Sequence, residues 1–367
     1  MRTRSLILSS ACILLLLSSC FQKKTSYADT VPYVEGILAD KYCHEAFVLR
    51  GNSSPDRNGS ITIIGRKGNC TKLAEVFSTL DARDNIDGTA RPDGIPDFAG
   101  ETLACIIDSL SYRDLLKSGD ESTVRAHTAR LVMAGLDTIS HLSPYDLEGL
   151  DSKPKSKIVI LADSYMARYG GFDVDTLFNS YACGVDVIDP VSLMLDKVIE
   201  AYPLRAVNVA LLYDGSLSES ELYTSRFAEY TTKRGAGGST LLTMPYNASD
   251  TLVRTMLDSW RQRSRDRIDA IIVDDANADG ESLKAQIADL ISIMNESSIT
   301  YSRYLQDSCL LLDVYGEVFS YCYDFLRKNN LFTHYISTPQ LESYRPVFRP
   351  DTKDGSIMLI PASYVQY

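Results

Sequence analysis

The chain has 367 residues and a formal net charge of −11, with its charges scattered rather than gathered in blocks. Phosphate recognition needs a basic face, so this composition argues against a nucleic-acid partner. The length suits two domains of ordinary size or one large α/β unit, and either can bury a sizeable core.

Residues 1–20 read MRTRSLILSSACILLLLSSC. Arg2 and Arg4 form a positive n-region and Leu6–Leu17 an apolar h-region, too short and too early for a comfortable transmembrane helix. The ending Leu17-Ser18-Ser19-Cys20 resembles the lipobox of bacterial lipoproteins. That resemblance implies a signal peptide over 1–19, lipidation of Cys20, and a membrane anchored through the N-terminal lipid. The implied address is the bacterial cell envelope. Phe21 rather than Asp follows Cys20, which points to the outer membrane, facing the periplasm. Residues 20–33 read as a polar tether.

A first lobe is expected over 34–205. Asn52–Gly59 is a turn by its Gly, Pro and Asn content. Ser60–Ile64 is a buried strand, followed by Gly65-Arg66-Lys67-Gly68 and a helix near Thr71–Leu80. A helix start with flanking glycines can receive an anion, which makes Lys67 a candidate contact. Residues 81–101 carry Asp81, Asp84, Asp87, Asp93, Asp97 and Glu101 among glycines and prolines, so they read as a long loop. It either delivers Asp97 and Glu101 to a pocket, supplies oxygen ligands to a divalent ion, or is a solvated lid. Leu103–Leu110 reads as helical, as does Val124–Leu136. Lys157–Ala162 is the next strand. After it, Asp163, Ser164, Tyr165, Arg168 and Gly170-Gly171 read as a loop suited to a polar ligand, with Arg gripping an anion and Tyr stacking on a flat group. Gly184–Asp189 is a short strand, and Pro190 starts a helix through Ala201.

A second lobe is expected over 206–367. Val207–Tyr213, Ser239–Met244 and Ile268–Val273 are strands, alternating with helices at Glu219–Lys233 and Ala248–Arg263. Short, nearly continuous apolar runs mark strands buried on both faces of a parallel sheet. Two of them end in acid, at Asp214 and at Asp274-Asp275. Ligands of such sheets bind beyond the carboxyl ends of the strands. Asp275-Ala-Asn277-Ala-Asp279-Gly280 imitates the opening of an EF-hand loop, but its twelfth position is Gln286 and a strand precedes it, so a plain turn is the better account. Leu283–Met294, Cys309–Asp313 and Glu317–Arg327 complete the pattern, with a Tyr-rich tail from Tyr335.

No G-x-S-x-G elbow is present, and His44, His127, His141 and His334 show no i, i+4 pair. No motif implies a cofactor or a metal. Cys309 with Cys322 and Cys43 with Cys70 are candidate disulfide pairs in an exported chain. The order of elements is similar to type I periplasmic binding proteins, in which two Rossmann-like α/β lobes, each a parallel sheet flanked by helices, close on a ligand. That resemblance implies a lipid-anchored protein that binds a small polar solute in an interlobe cleft, non-enzymatic, with a transporter or envelope partner. Its contacts would be Lys67, Asp97, Glu101, Asp163, Ser164, Tyr165, Arg168, Asp214 and Asp274. Two alternatives stand beside it: a carboxylate- or metal-dependent hydrolase using the 84–101 loop, and a non-enzymatic surface or assembly protein.

Overall fold

A computed structural model describes residues 29–362, apart from 150, 216–219, 297–300, 302, 306–307, 334–337 and 351–354. The signal peptide and Cys20 expected over 1–20 lie outside the described residues, and so does His334. The helices are α1 (Pro32–Ala39), α2 (His44–Gly51), α3 (Lys67–Thr79), α4 (Tyr112–Lys117), α5 (Glu121–Leu136), α6 (Ser164–Tyr181), α7 (Pro190–Ala201), α8 (Ser220–Lys233), α9 (Leu252–Arg263), α10 (Gly280–Glu296) and α11 (Val314–Lys328). The strands are β1 (Ser60–Gly65), β2 (Thr102–Ile107), β3 (Ile139–Ser140), β4 (Asp151–Ser152), β5 (Ser156–Leu161), β6 (Asp186–Ile188), β7 (Asn208–Tyr213), β8 (Thr240–Pro245), β9 (Ala270–Asp274), β10 (Leu310–Asp313), β11 (Gln340–Phe348) and β12 (Ile357–Pro361).

The expected two-lobed α/β architecture is what the chain adopts. The first sheet has the order β12-β11-β2-β1-β5-β6, and the second β10-β9-β7-β8. All pairs in both are parallel except β11 with β12. β1 and β5 are buried along their whole length, as strands covered by helices on both faces must be.

Three expectations change. Leu103–Leu110 is not helical: β2 occupies Thr102–Ile107, paired with β1 on one side and β11 on the other. A six-residue apolar run fits either period, and two partner strands decide it. The stretch after Lys157–Ala162 is not a loop: Ser164–Tyr181 is one helix, with Gly170-Gly171 inside it. A Cβ on Gly170 would lie 2.3 Å from Thr128 Cβ, so the glycine is there to let α5 and α6 approach. The tail, expected with the second lobe, returns to the first: β11 pairs with β2 in register Gln340↔Thr102, and β12 forms the edge.

The lobes share a core. One apolar cluster runs from Ile61, Ile63 and Val159 of the first sheet through Met194 and Phe319 to Val209, Ile272, Tyr223 and Phe227 of the second lobe. A second cluster, around Met256 and Trp260, fills the far face of the second sheet. Burying a side chain the size of Phe227 stabilises by roughly 1.5–3 kcal/mol, so a core shared between lobes resists wide opening. Cys43, Cys70, Cys105, Cys183, Cys309 and Cys322 are all free thiols, so neither candidate disulfide forms.

Candidate functional site at the lobe junction

In both sheets the carboxyl ends of the parallel strands turn toward the junction between lobes. β1 leads into Arg66, β5 into Asp163, β6 into Asp189, β7 into Asp214, and β9 ends at Asp274. Arg66 Nε lies 3.2 Å from Asp163 Oδ2, and its Nη2 lies 3.2 Å from Asp214 Oδ2 across the junction. Asp163 also caps α6, its Oδ1 accepting from the amides of Tyr165 (2.9 Å) and Met166 (3.2 Å). Next to it, Ser164 Oγ donates to Asp274 Oδ2 at 3.2 Å, a second bond between lobes. Tyr223 OH, from α8, donates to the same oxygen at 3.0 Å. Three residues further along α8, Arg226 reaches the first lobe. It pairs with Asp189 and donates to Ser192 Oγ at 2.9 Å. Its Nη1 is buried without a hydrogen-bond partner among the described residues. Arg168 of α6 pairs with Glu229 of α8 at 3.1 Å.

A cavity of about 10 Å³ opens at this point, lined by Ser164, Asp189, Asp274 and Tyr315 with Leu73 and Val318. It has room for about one water molecule. Burial raises the pKa of Asp274, against the hydrogen bonds from Tyr223 and Ser164. Burial also raises Asp163, with Arg66 opposing. It pushes the Tyr223 hydroxyl well above its ordinary value, helped by the charge of Asp274. Burial, then the neighbouring Arg168, lowers Arg226 to about 9, so its guanidinium is still cationic at neutral pH. Beside the cluster, at the end of β2, Asp108 accepts from Tyr112 OH and pairs with His127 Nε2 at 3.0 Å.

Of the residues expected to bind, Asp163, Ser164, Asp214 and Asp274 come together here. Arg168 stands at the rim, on a helix and committed to Glu229. Lys67 begins α3 and is exposed beside the cluster. Tyr165 is buried in α6. Asp97 lies elsewhere: it is 3 % exposed and accepts from the amides of Ala82 and Arg83. Glu101 lies at the opposite, amino-terminal end of the strands, paired with Lys157 and accepting from the Thr333 amide at 2.9 Å. Sequence reading missed Arg66, Tyr223 and Arg226. Arg66 was within reach of the strand-end argument, one position before Lys67. Tyr223 and Arg226 carried no signal beyond their i, i+3 spacing on α8.

The acidic loop has its own account. Asp81 accepts from the amides of Asp93 and Gly94, Asp84 from those of Ile86 and Asp87, Asp87 from Thr89, and Asp93 from Asn85 and Ile95. The carboxylates hold the backbone in shape, in place of regular secondary structure. Among the described residues no group of three or more His, Cys, Asp or Glu is placed to hold a metal ion. The EF-hand imitation is likewise a turn, with Asp275 accepting from Asn277 and Asp279 from Ser282.

No family model and no curated protein sequence matches the chain. Among solved structures, it is similar to a glutamate racemase from Francisella tularensis in complex with D-glutamate (14% identity, 82% of this chain and 91% of that one, TM-score 0.44). It is similar to a glutamate racemase from Bacillus anthracis (11% identity, 79% and 89%, TM-score 0.44). It is also similar to an unliganded arylmalonate decarboxylase (12% identity, 73% and 92%, TM-score 0.34). These likenesses bear on the fold alone. The structures named are racemases and a decarboxylase, not solute-binding proteins or hydrolases. The chain's own geometry corrects the functional expectation. The lobes share one core where a hinged cleft was expected, and the acids of the 84–101 loop are spent on backbone amides.

Proposed function

We propose that the lobe junction is the active centre of an acid–base enzyme that moves a proton on a small substrate bearing a carboxylate. The observation that carries this reading is Arg226. Its buried Nη1 lacks an acceptor among the described residues, in a cluster that also holds Asp274, whose pKa burial raises. An unmet buried donor on a cation costs on the order of 1–3 kcal/mol or more, and an incoming carboxylate would recover it. Asp274, displaced toward neutrality, suits general acid–base work, for which the best pKa lies near the working pH. Ser164 and Tyr223 fix its orientation, and Tyr223 is a second proton donor on the same oxygen. Arg66 holds the two lobes in register through Asp163 and Asp214. The cavity has room for about one water, so a substrate enters by parting the polar contacts between lobes while the shared core stays packed.

The test is hydrogen exchange in D₂O. The protein is incubated with a panel of small α-amino and α-hydroxy acids, and loss of the α-proton signal is followed by NMR. Exchange with at least one acid, abolished by Asp274→Asn, is the expected result. No exchange with any acid in the panel would overturn the reading.

A further inference from the structure

A second concave feature, in the first lobe, lies outside the junction and shares no residue with it. It is a cavity of about 380 Å³ lined by residues of α1, α2, α5, β3 and β12, with Arg349 and Ser356 beside them. That volume falls in the range of small-molecule sites. Its floor is apolar, formed by Met133, Ile139, Met358 and Leu359. Around the floor stand two guanidiniums, Arg130 and Arg349, and two imidazoles, His44 and His141.

Each imidazole is held by one nitrogen. His44 Nε2 lies 2.6 Å from Asp137 Oδ2. Asp137 is itself pinned by the amides of Thr138 (2.7 Å) and Ile139 (3.3 Å). His141 Nδ1 lies 2.5 Å from the Asp146 carbonyl, which can only accept, so Nδ1 carries the proton there. A neutral ring that donates from one nitrogen offers a lone pair at the other, so a carboxylate meets His44 as the imidazolium, the form that its hydrogen bond to Asp137 favours. Arg130 is braced 4.6 Å over the ring of Tyr33. The acids of the cavity are partly committed: Asp137 to His44, and Glu45 to Ser356 Oγ at 3.4 Å, with Glu148 exposed at the rim.

We propose that this cavity is a second binding site, which takes a small organic acid with an apolar body. The carboxylate meets Arg349 and His44, and the body lies on Met133, Ile139, Met358 and Leu359. An apolar floor edged by the Arg130 and Arg349 guanidiniums selects that combination: a purely polar anion would leave the floor wet, and a neutral hydrocarbon would draw nothing from the charges.

Phenylacetate, titrated into the full chain, is the probe. The imidazole Cε1–H resonances of His44 and His141 are read by NMR, with His44→Gln assigning the first. Both are expected to shift saturably. Arg349→Gln and replacement of the probe by phenylacetamide are each expected to weaken binding about tenfold or more. Met133→Trp, which fills the cavity, is expected to abolish it. The proposal is overturned if neither resonance shifts saturably with phenylacetate, or if the amide binds as well as the acid. Unchanged affinity in Arg349→Gln also overturns it, and that surface variant decides the matter should Met133→Trp not fold.

Discussion

Arg66 and Asp214 face each other across the lobe junction, with Nη2 3.2 Å from Oδ2, while Arg66 Nε lies the same distance from Asp163 in its own lobe. One guanidinium therefore neutralises acids at the strand ends of both sheets. Burial works against its charge, but Asp163 and Asp214 outweigh that and hold it above its ordinary pKa.

Removing Arg66 leaves Asp163, 2 % exposed, without its counter-charge. The guanidinium is partly open to solvent, so the loss falls between that of an exposed pair and a buried one. We expect Arg66→Ala to destabilise by about 1–3 kcal/mol in urea denaturation. Arg66→Lys keeps the charge but loses the fork, and should recover part of the loss.

Asp274→Asn separates catalysis from stability. Asparagine can still accept from Ser164 and Tyr223, but it cannot carry a proton in exchange. The proton-transfer rate is expected to fall by about 10²–10⁴. Burial raises the folded pKa of Asp274, so its contribution to stability is present below the unfolded pKa and is lost as pH rises through the folded one. The variant should therefore be at least as stable as the parent at neutral pH, and no more stable near pH 3. Thermal unfolding at the two pH values checks this.

The 81–101 loop should behave as a scaffold. Asp97→Ala removes a buried acceptor serving two amides and is expected to cost about 1–3 kcal/mol. Gly88 has φ +75°, and an added Cβ would lie 2.5 Å from the Arg327 guanidinium carbon. Gly88→Ala should thus destabilise as well. Millimolar Ca²⁺ or Mg²⁺ should leave the melting temperature of parent and variants unchanged, and a rise of several degrees would refute the scaffold account.

What could be read in the sequence follows from how local each signal was. Ile61–Ile64, Ile158–Leu161, Val209–Tyr213 and Ile271–Val273 announce themselves because strands buried on both faces must be apolar at nearly every position, the buried Thr62 being hydrogen-bonded to Ser156. Their acidic ends, Asp163, Asp214 and Asp274, follow from the same reading. β2 did not, since its identity depends on β11, some 230 residues later in the chain. Gly170-Gly171 suggested a loop because local sequence cannot show that Thr128 of another helix is packed against it. Arg226 and Tyr223 were invisible for a related reason. Their role depends on α8 crossing the junction, and nothing within α8 encodes where its neighbours stand.

Glu101 and Lys157 form a pair with no exposed surface at the amino-terminal ends of the first sheet's strands, remote from the junction. Lys157 Nζ also donates to the carbonyls of Arg57 (3.0 Å) and Leu331 (2.9 Å). Lys157→Met strands a buried carboxylate and is expected to cost about 3–5 kcal/mol. Adding Glu101→Leu should recover most of that loss, because the penalty belongs to the unpaired charge and not to the missing pair. Substrate exchange should be unaffected in the double variant, which distinguishes this cluster from the junction.

Asp175 on α6 offers the clearest pH signature. Burial, reinforced by the charge of Asp186, raises it to about 7. An acid whose folded pKa lies above its unfolded value of about 3.9 stabilises the fold fully only below that lower value. Its contribution drains away as pH rises from about 4 to about 7, where the folded chain must hold an ionised carboxylate beside Asp186. We expect Asp175→Asn to stabilise the protein by about 1–2 kcal/mol at pH 8 and to have little effect at pH 4. Urea denaturation at both pH values measures the difference. Equal effects at the two would show that Asp175 titrates normally and that its carboxylate is solvated in the folded chain.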